Sequence, residues 1–357
     1  MNNRKKFGGQ APLHVNALRY LTPIITLTSF FPSAILCYGT FYYIERILFR
    51  STSMLRPLIY LAIIIVAALL KHGGLFGPND HRVLSKIFTN VTLPLTAIHA
   101  FVGFTPASSL YCLIAIGFGV ALAPIFLMYV LTRRRLTEPR SFFMINSSGY
   151  NIGGFAMPII QLFFGPIGAA YACMFDLGNA LIVCGGEYAI TSSLLGFDAG
   201  NEGFAKKAGA FCKRIFSSVT LDVYLAMLVL MLLQVRIPEI VGSVTEPIAM
   251  ANGFISMFML GLMFHIERNP EKLHDVIFIL IFRVAFGVCC GMLVYHFLPL
   301  EEMARKIAAL CMVAPAGSIT PVFTERIGAD AQTSSFLNSL SVILSFIIMF
   351  IYMFVLW

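Results

Sequence analysis

From Pro57 onward the chain is a succession of apolar runs, divided by short connections that carry most of its lysine and arginine. Such runs leave few folds open. In hydrocarbon every backbone N–H and C=O must find its partner inside the protein, so a spanning chain is either helical or a closed β-barrel. Stretches such as Leu58 to Leu70 are continuously apolar rather than alternating, which argues against a barrel. A very apolar soluble core fails on charge: only 12% of residues are Asp, Glu, Lys or Arg. Soluble chains average about 25%, and so few charges cannot make a water-facing surface. The expected class is an all-α polytopic protein, integral to the cell membrane and crossing it many times.

A spanning helix needs about 20 mostly apolar residues. Eleven stretches qualify. The first, near 22–45, carries Pro23 and Pro32 and is expected as an extra N-terminal helix. Residues 1–20 are polar and basic and lack a clear small-residue cleavage site, which favours a retained helix over a cleaved signal peptide. Ten core helices are expected near 56–75, 83–104, 108–131, 140–164, 167–195, 216–236, 245–266, 276–298, 303–325 and 329–355. Alternate connections hold fourteen Lys and Arg and the others hold six, which places the first set in the cytoplasm. The net charge of +8 is thereby a matter of topology, and no nucleic-acid partner is expected. The eight cysteines include no Cys-x-x-Cys, so neither a disulfide framework nor a metal cluster is expected.

Two stretches are too polar and too rich in glycine for membrane helices. One runs from Asn146 through Asn151 and Gly153-Gly154 to Pro158, the other from Ala314 through Gly317, Ser318 and Thr320 to Pro321. Each proline is followed seven residues later by a glycine, Gly165 and Gly328, and both pairs are 163 residues apart. Val91-Thr92-Leu93-Pro94, in the middle of expected core helix 2, and Val244-Thr245-Glu246-Pro247, at the start of expected core helix 7, repeat at an offset of 153. A repeat of five helices is odd-numbered, so its second copy enters the membrane inverted. The division that follows is a tail and extra helix (1–54), a first five-helix repeat (55–195), a cytoplasmic linker (196–215) and a second repeat (216–357). Proline removes a donor and glycine admits unusual backbone angles, so core helices 4 and 9 are expected to break. The plainer alternative at each is a proline kink with tight packing.

These residues resemble the auxin efflux carrier family of permeases. The resemblance rests on Asn151 to Gly154, Pro158 and Gly165, continuing to Phe175-Asp176-Leu177-Gly178-Asn179. It rests also on Leu84-Ser85-Lys86 with Asn90 to Pro94, and on Pro315 to Gly328 with Asp330. It covers roughly residues 55–357. The leading segment is extra to the usual core, and Asn252-Gly253 stands where many members carry a proline. The family is similar in fold to bile-acid:sodium symporters. Membership implies two inverted five-helix repeats with the broken helices crossing at mid-membrane. It implies transport of a small organic anion, and similar carriers form homodimers.

The residues that could carry function follow. Asn146, Asn151, Pro158, Ser318, Thr320 and Pro321 belong to the breaks and are candidates for substrate binding. Asp176 and Asn179 lie on core helix 5 with Glu187. At 100° per residue Asp176 and Glu187 fall within about 20° of one face. An intramembrane acid is a functional candidate by default: Asp176 and Glu187 could take up a proton or help hold sodium, or be structural. Ser334, Asn338, Ser341 and Ser345 form one stripe on core helix 10, and Asn338 is a further binding candidate. Small polar stripes also mediate helix packing. Arg283 could attract an anion, snorkel, or pair with Glu187.

The expected function is a secondary carrier for a small organic anion, coupled to a proton or sodium, with no cofactor and no metal. A non-transporting receptor or scaffold on the same fold is the alternative. An ATP-driven pump lacks its Gly-x4-Gly-Lys-Ser/Thr loop, and an intramembrane enzyme lacks a His-Glu-x-x-His or Asp-rich motif.

Overall fold

Helix is the only regular structure among the described residues of the computed structural model, which are 57–104, 111–197, 209, 218–266 and 270–356. The expected N-terminal helix at 22–45 and most of the linker at 196–215 lie outside them. Five stretches are long and apolar enough to cross a membrane: Cys112–Leu131, Ile152–Leu195, Glu239–Met263, Lys272–Phe297 and Ala331–Met353. Pro57–His72 and Val219–Leu232 are shorter apolar helices. By length and composition these helices suit a membrane protein.

In chain order the helices are α1 (Pro57–His72), α2 (His81–Ile87, Phe88–Thr92 and Leu93–Phe101, run together), α3 (Cys112–Leu131) and α4 (Thr137–Ser147). There follow α5 (152–164), α6 (166–184), α7 (Glu187–Leu195), α8 (Val219–Leu232), α9 (Glu239–Met263) and α10 (Pro270–Phe297). The last are α11 (Glu302–Met312), α12 (Thr320–Arg326) and α13 (Ala331–Leu356).

Glycines set the boundaries of α5, α6 and α7. Ile152–Leu195 is 44 residues, about 66 Å as one straight helix and twice the hydrocarbon thickness. Gly165, at φ 64 and ψ −161, turns the chain back, and Pro166 opens α6. Gly185, at φ 148, separates α6 from α7. Gly328, at φ 81, ends α12 as Gly165 ends α5. The two glycines that trail Pro158 and Pro321 are therefore both helix-ending turns that only glycine adopts cheaply.

Two of the expected proline positions behave differently from a helix start. α9 begins at Glu239 rather than near Thr245, and Pro247 lies inside it without ending it. The apolar residues Ile240, Val241 and Val244 continue the helix upstream, and a membrane helix tolerates proline where neighbours meet the freed carbonyl. In α2 the backbone widens into a π-type turn at Phe88–Thr92, just before Pro94. That wide turn absorbs the missing N–H.

Glycine also sets the packing distances. Gly117 of α3 lies against the Phe175 carbonyl of α6, and Gly178 of α6 against the Ile114 carbonyl of α3. Gly261 of α9 meets the Ile64 carbonyl of α1, and Gly287 of α10 meets the Met312 carbonyl beside α11. Polar contacts join the connections in two sets. Arg135 pairs with Asp275 at 2.9 Å, Lys272 pairs with Asp330, and Lys71 Nζ donates to the Phe264 carbonyl at 3.0 Å. At the other helix ends Tyr171 donates to Glu301 at 2.9 Å, and His99 Nδ1 lies 3.2 Å from the Gly242 carbonyl. The first set joins basic-rich connections, the second basic-poor ones.

Candidate functional site

Both polar stretches break their helices, and the breaks touch. α4 ends at Ser147, Ser148 is extended (φ −95, ψ 169), Gly149 takes φ 62, and α5 begins at Ile152. α11 ends at Met312 and α12 begins at Thr320, with no regular helix between. The Asn151 N–H donates to the Pro315 carbonyl at 2.9 Å. Its side-chain Nδ2 donates to Ser318 Oγ at 2.8 Å, while its Oδ1 accepts from Gly154 N–H at 3.1 Å. One side chain thus caps its own half-helix and reaches the other break.

The loosened backbone is met by side chains from neighbouring helices, as burial demands. Asn179 of α6 donates to the Tyr150 carbonyl at 2.8 Å and accepts the Tyr150 N–H at 3.0 Å. Arg283 of α10 donates to the carbonyls of Ser148 (2.8 Å), Gly149 (2.7 Å) and Asn146 (3.3 Å). Its guanidinium carbon lies 5.0 Å from the centre of the Tyr150 ring, within cation–π range. At the second break α13 does the same work. Ser341 Oγ accepts the Ala316 N–H at 3.1 Å, and Asn338 Nδ2 donates to the Gly317 carbonyl at 3.3 Å.

A cavity of about 480 Å³ opens beside the crossing. Asn151, Asp176, Asn179 and Ser318 line it, with Tyr150, Tyr224 and an apolar wall that includes Phe88, Leu93, Ile152 and Phe323. Asp176 Oδ1 accepts from Asn179 Nδ2 at 2.9 Å, and Oδ2 accepts from the Tyr224 hydroxyl of α8 at 3.1 Å. Ser218, Thr220 and Arg326 also line the cavity. They stand at the ends of α8 and α12 that meet the basic-rich connections, so the cavity extends to that end of the molecule. The size suits a small molecule.

The other candidates lie elsewhere. Asn146 is fully buried and tied to Thr324, Ser334 and the Phe142 carbonyl. Thr320 is buried and donates to Glu187 Oε1 at 3.3 Å. Pro158 is buried inside the second half-helix, seven residues beyond Asn151, so it does not make the break; Ser148 to Asn151 do. Pro321 and Asn338 line a separate cavity of about 40 Å³. Glu187 is fully buried and does not face the cytoplasm; its carboxylate lies against Gly149 and that of Asp176 against Gly153, so both meet the same broken segment. Arg283 neither snorkels nor pairs with an acid within bridging distance among the described residues; it holds carbonyls. The stripe on α13 is buried throughout and packs on the breaks.

Sequence reasoning missed Tyr150, Tyr224 and Arg326. Tyr150 sits inside the polar stretch, beside Asn151, and could have been named. Tyr224 is the one tyrosine of a helix whose other polar residues are Thr220 and Asp222, and no periodicity pairs it with Asp176. Comparison with protein-family models and with curated proteins found no match.

Proposed function

We propose that the chain is a secondary carrier that moves a small organic anion by alternating access, of the auxin efflux carrier type. The observation that carries this reading is the contact between two broken helices, Asn151 to Ser318 at 2.8 Å, on the wall of a cavity of small-molecule size. Broken helices that cross beside a polar cavity are how such carriers build a midplane site. In this reading α4 with α5, α6 with α7, and α11 with α12 each make one pass. The core then has ten passes in two inverted sets of five. The matched turns at Gly165 and Gly328 support that pairing, as do the matched roles of Asn179 and Asn338.

Substrate binds against Asn151, Asn179 and Ser318, with Arg326 at the basic-rich end drawing in negative charge. Asp176 and Glu187 are the candidates for the coupling ion. Asp176 has the better position. Its bond to Tyr224 joins α6 to α8, and α8 itself packs on α2 through Thr220, which donates to the Thr89 carbonyl at 2.7 Å. A group rocking against α2 and α8 would have to break the Asp176–Tyr224 bond. No step in this reading uses a cofactor or makes and breaks a covalent bond in the substrate. Lipid, and a second copy of the chain, are its proposed partners.

The test is flux. Purified protein in proteoliposomes is given radiolabelled dicarboxylates and auxin-like acids, with imposed proton or sodium gradients. Uptake of at least one acid, reduced in Asn151→Ala, is the expected result. Saturable binding without flux of any acid would instead identify a receptor on this fold.

A further inference from the structure

A buried guanidinium is costly unless its charge is met. Arg283 is 6% exposed and has no carboxylate within ion-pair distance among the described residues. Three carbonyls of one broken backbone meet its charge instead, at 2.7 to 3.3 Å, with the face of Tyr150 beneath. Two of these carbonyls meet Nη1 and the third meets Nη2; carbonyls clustered in this way at an unwound helix end are also the kind of oxygen set that holds an alkali cation. The neighbourhood favours positive charge from a second direction. Glu187 Oε2 is buried without a hydrogen-bond partner and lies against Gly149, whose carbonyl takes the shortest of the three bonds.

We propose that Arg283 is a tethered cation. Its guanidinium fills the carbonyl site at the α4–α5 break that a sodium ion would otherwise take, so the break keeps its shape without sodium. The consequence for transport rests on the carrier reading: sodium is not the coupling ion at this break. The residue acts through the backbone it holds, and is a positioning residue rather than one that touches substrate.

The experiment reads stability, so it can fail while the carrier reading stands, and an absence of flux would leave it intact. Wild type, Arg283→Met and Arg283→Lys are purified in detergent. Thermal unfolding is followed with a thiol-reactive dye in sodium, potassium or low-millimolar guanidinium chloride, at ionic strength fixed with choline chloride. Wild type is expected to unfold at one temperature in all salts. Arg283→Met should unfold several degrees lower and recover part of the loss with guanidinium. Arg283→Lys, which keeps a charge with three donors, should lose less. Wild-type stabilisation by sodium over equal potassium would overturn the proposal. So would an Arg283→Met protein as stable as wild type, or one that answers to no cation. Should Arg283→Met not be recovered folded, the wild-type titration and Arg283→Lys decide: a lysine variant that now gains stability from guanidinium supports the site, and one that does not overturns it.

Discussion

The carboxamide of Asn179 holds both backbone groups of Tyr150, donating to its carbonyl at 2.8 Å and accepting its N–H at 3.0 Å. Tyr150 is 2% exposed, so no bulk water can replace either bond. An unmet buried backbone group costs about 1–3 kcal/mol. Asn179→Ala unmeets two. The variant is expected to unfold at a clearly lower temperature, read by a thiol dye as buried Cys173 and Cys311 become accessible. Asn179→Asp keeps the acceptor for the N–H, loses the donor, and adds a carboxylate beside Asp176. It should be no more stable than Asn179→Ala. An alanine variant with the wild-type unfolding temperature would mean that the break is held elsewhere.

The breaks were legible because they break a rule. Glycine and proline in an apolar run have no cheap place in a lipid-facing helix, so Gly149, Gly165, Gly317 and Gly328 announce themselves. Asn151 was legible for the same reason. What closes the breaks was not legible in its details. Asn179 and Arg283 act on backbone carbonyls that leave no mark of their own in the sequence, and Arg283 reaches them across more than 130 residues. Tyr224 was missed because its partner, Asp176, is 48 residues away.

Cys184 lines the large cavity, whose other lining residues include Ser218 and Arg326 at the basic-rich end of the molecule. A charged, membrane-impermeant thiol reagent should therefore label a variant that keeps Cys184 as its sole cysteine from that side. In sealed vesicles of both orientations, modification is expected where the 131–137 and 264–272 connections face the reagent. It should be much slower in the opposite orientation. Labelling confined to the opposite side would show that the cavity opens the other way.

Asp330, in the connection between α12 and α13, ties α13 to α10. Its Oδ1 accepts from the N–H groups of Gln332 (2.9 Å) and Thr333 (3.1 Å), capping α13, and its Oδ2 meets Lys272 of α10 and the Thr333 hydroxyl. Burial pushes its carboxyl up, but the Lys272 ammonium and the Thr333 N–H and hydroxyl outweigh this and hold it at about 2, below the ordinary 3.8. A depressed carboxyl contributes stability that is fully present above its unfolded value and lost as pH falls through its folded one. The difference in unfolding temperature between wild type and Asp330→Asn should be constant above pH 4 or so and shrink as pH falls from there toward about 2. Loss of a helix cap costs about 0.5–2 kcal/mol, so the gap at neutral pH should be measurable. A gap that widens on acidification would rule the assignment out.

Gly178 faces the Ile114 carbonyl so closely that a methyl group there would overlap the oxygen, and Gly117 stands in the same relation to Phe175. The two glycines set the distance between α3 and α6, and α6 carries both Asp176 and Asn179. Overpacking a tight interface typically costs about 1–3 kcal/mol, sometimes more. Here the obstacle is backbone, which cannot swing aside as a side chain can. Gly178→Ala is thus expected to lower the unfolding temperature sharply and to disturb the cavity with it, since pushing α6 from α3 moves Asp176 relative to Tyr224. Gly119→Ala, on the same helix as Gly117 with open space where the methyl would go, should be neutral within about 0.5 kcal/mol, as for substitutions away from tight contacts. Equal behaviour of the two alanine variants would show that α3 and α6 are not held at backbone contact.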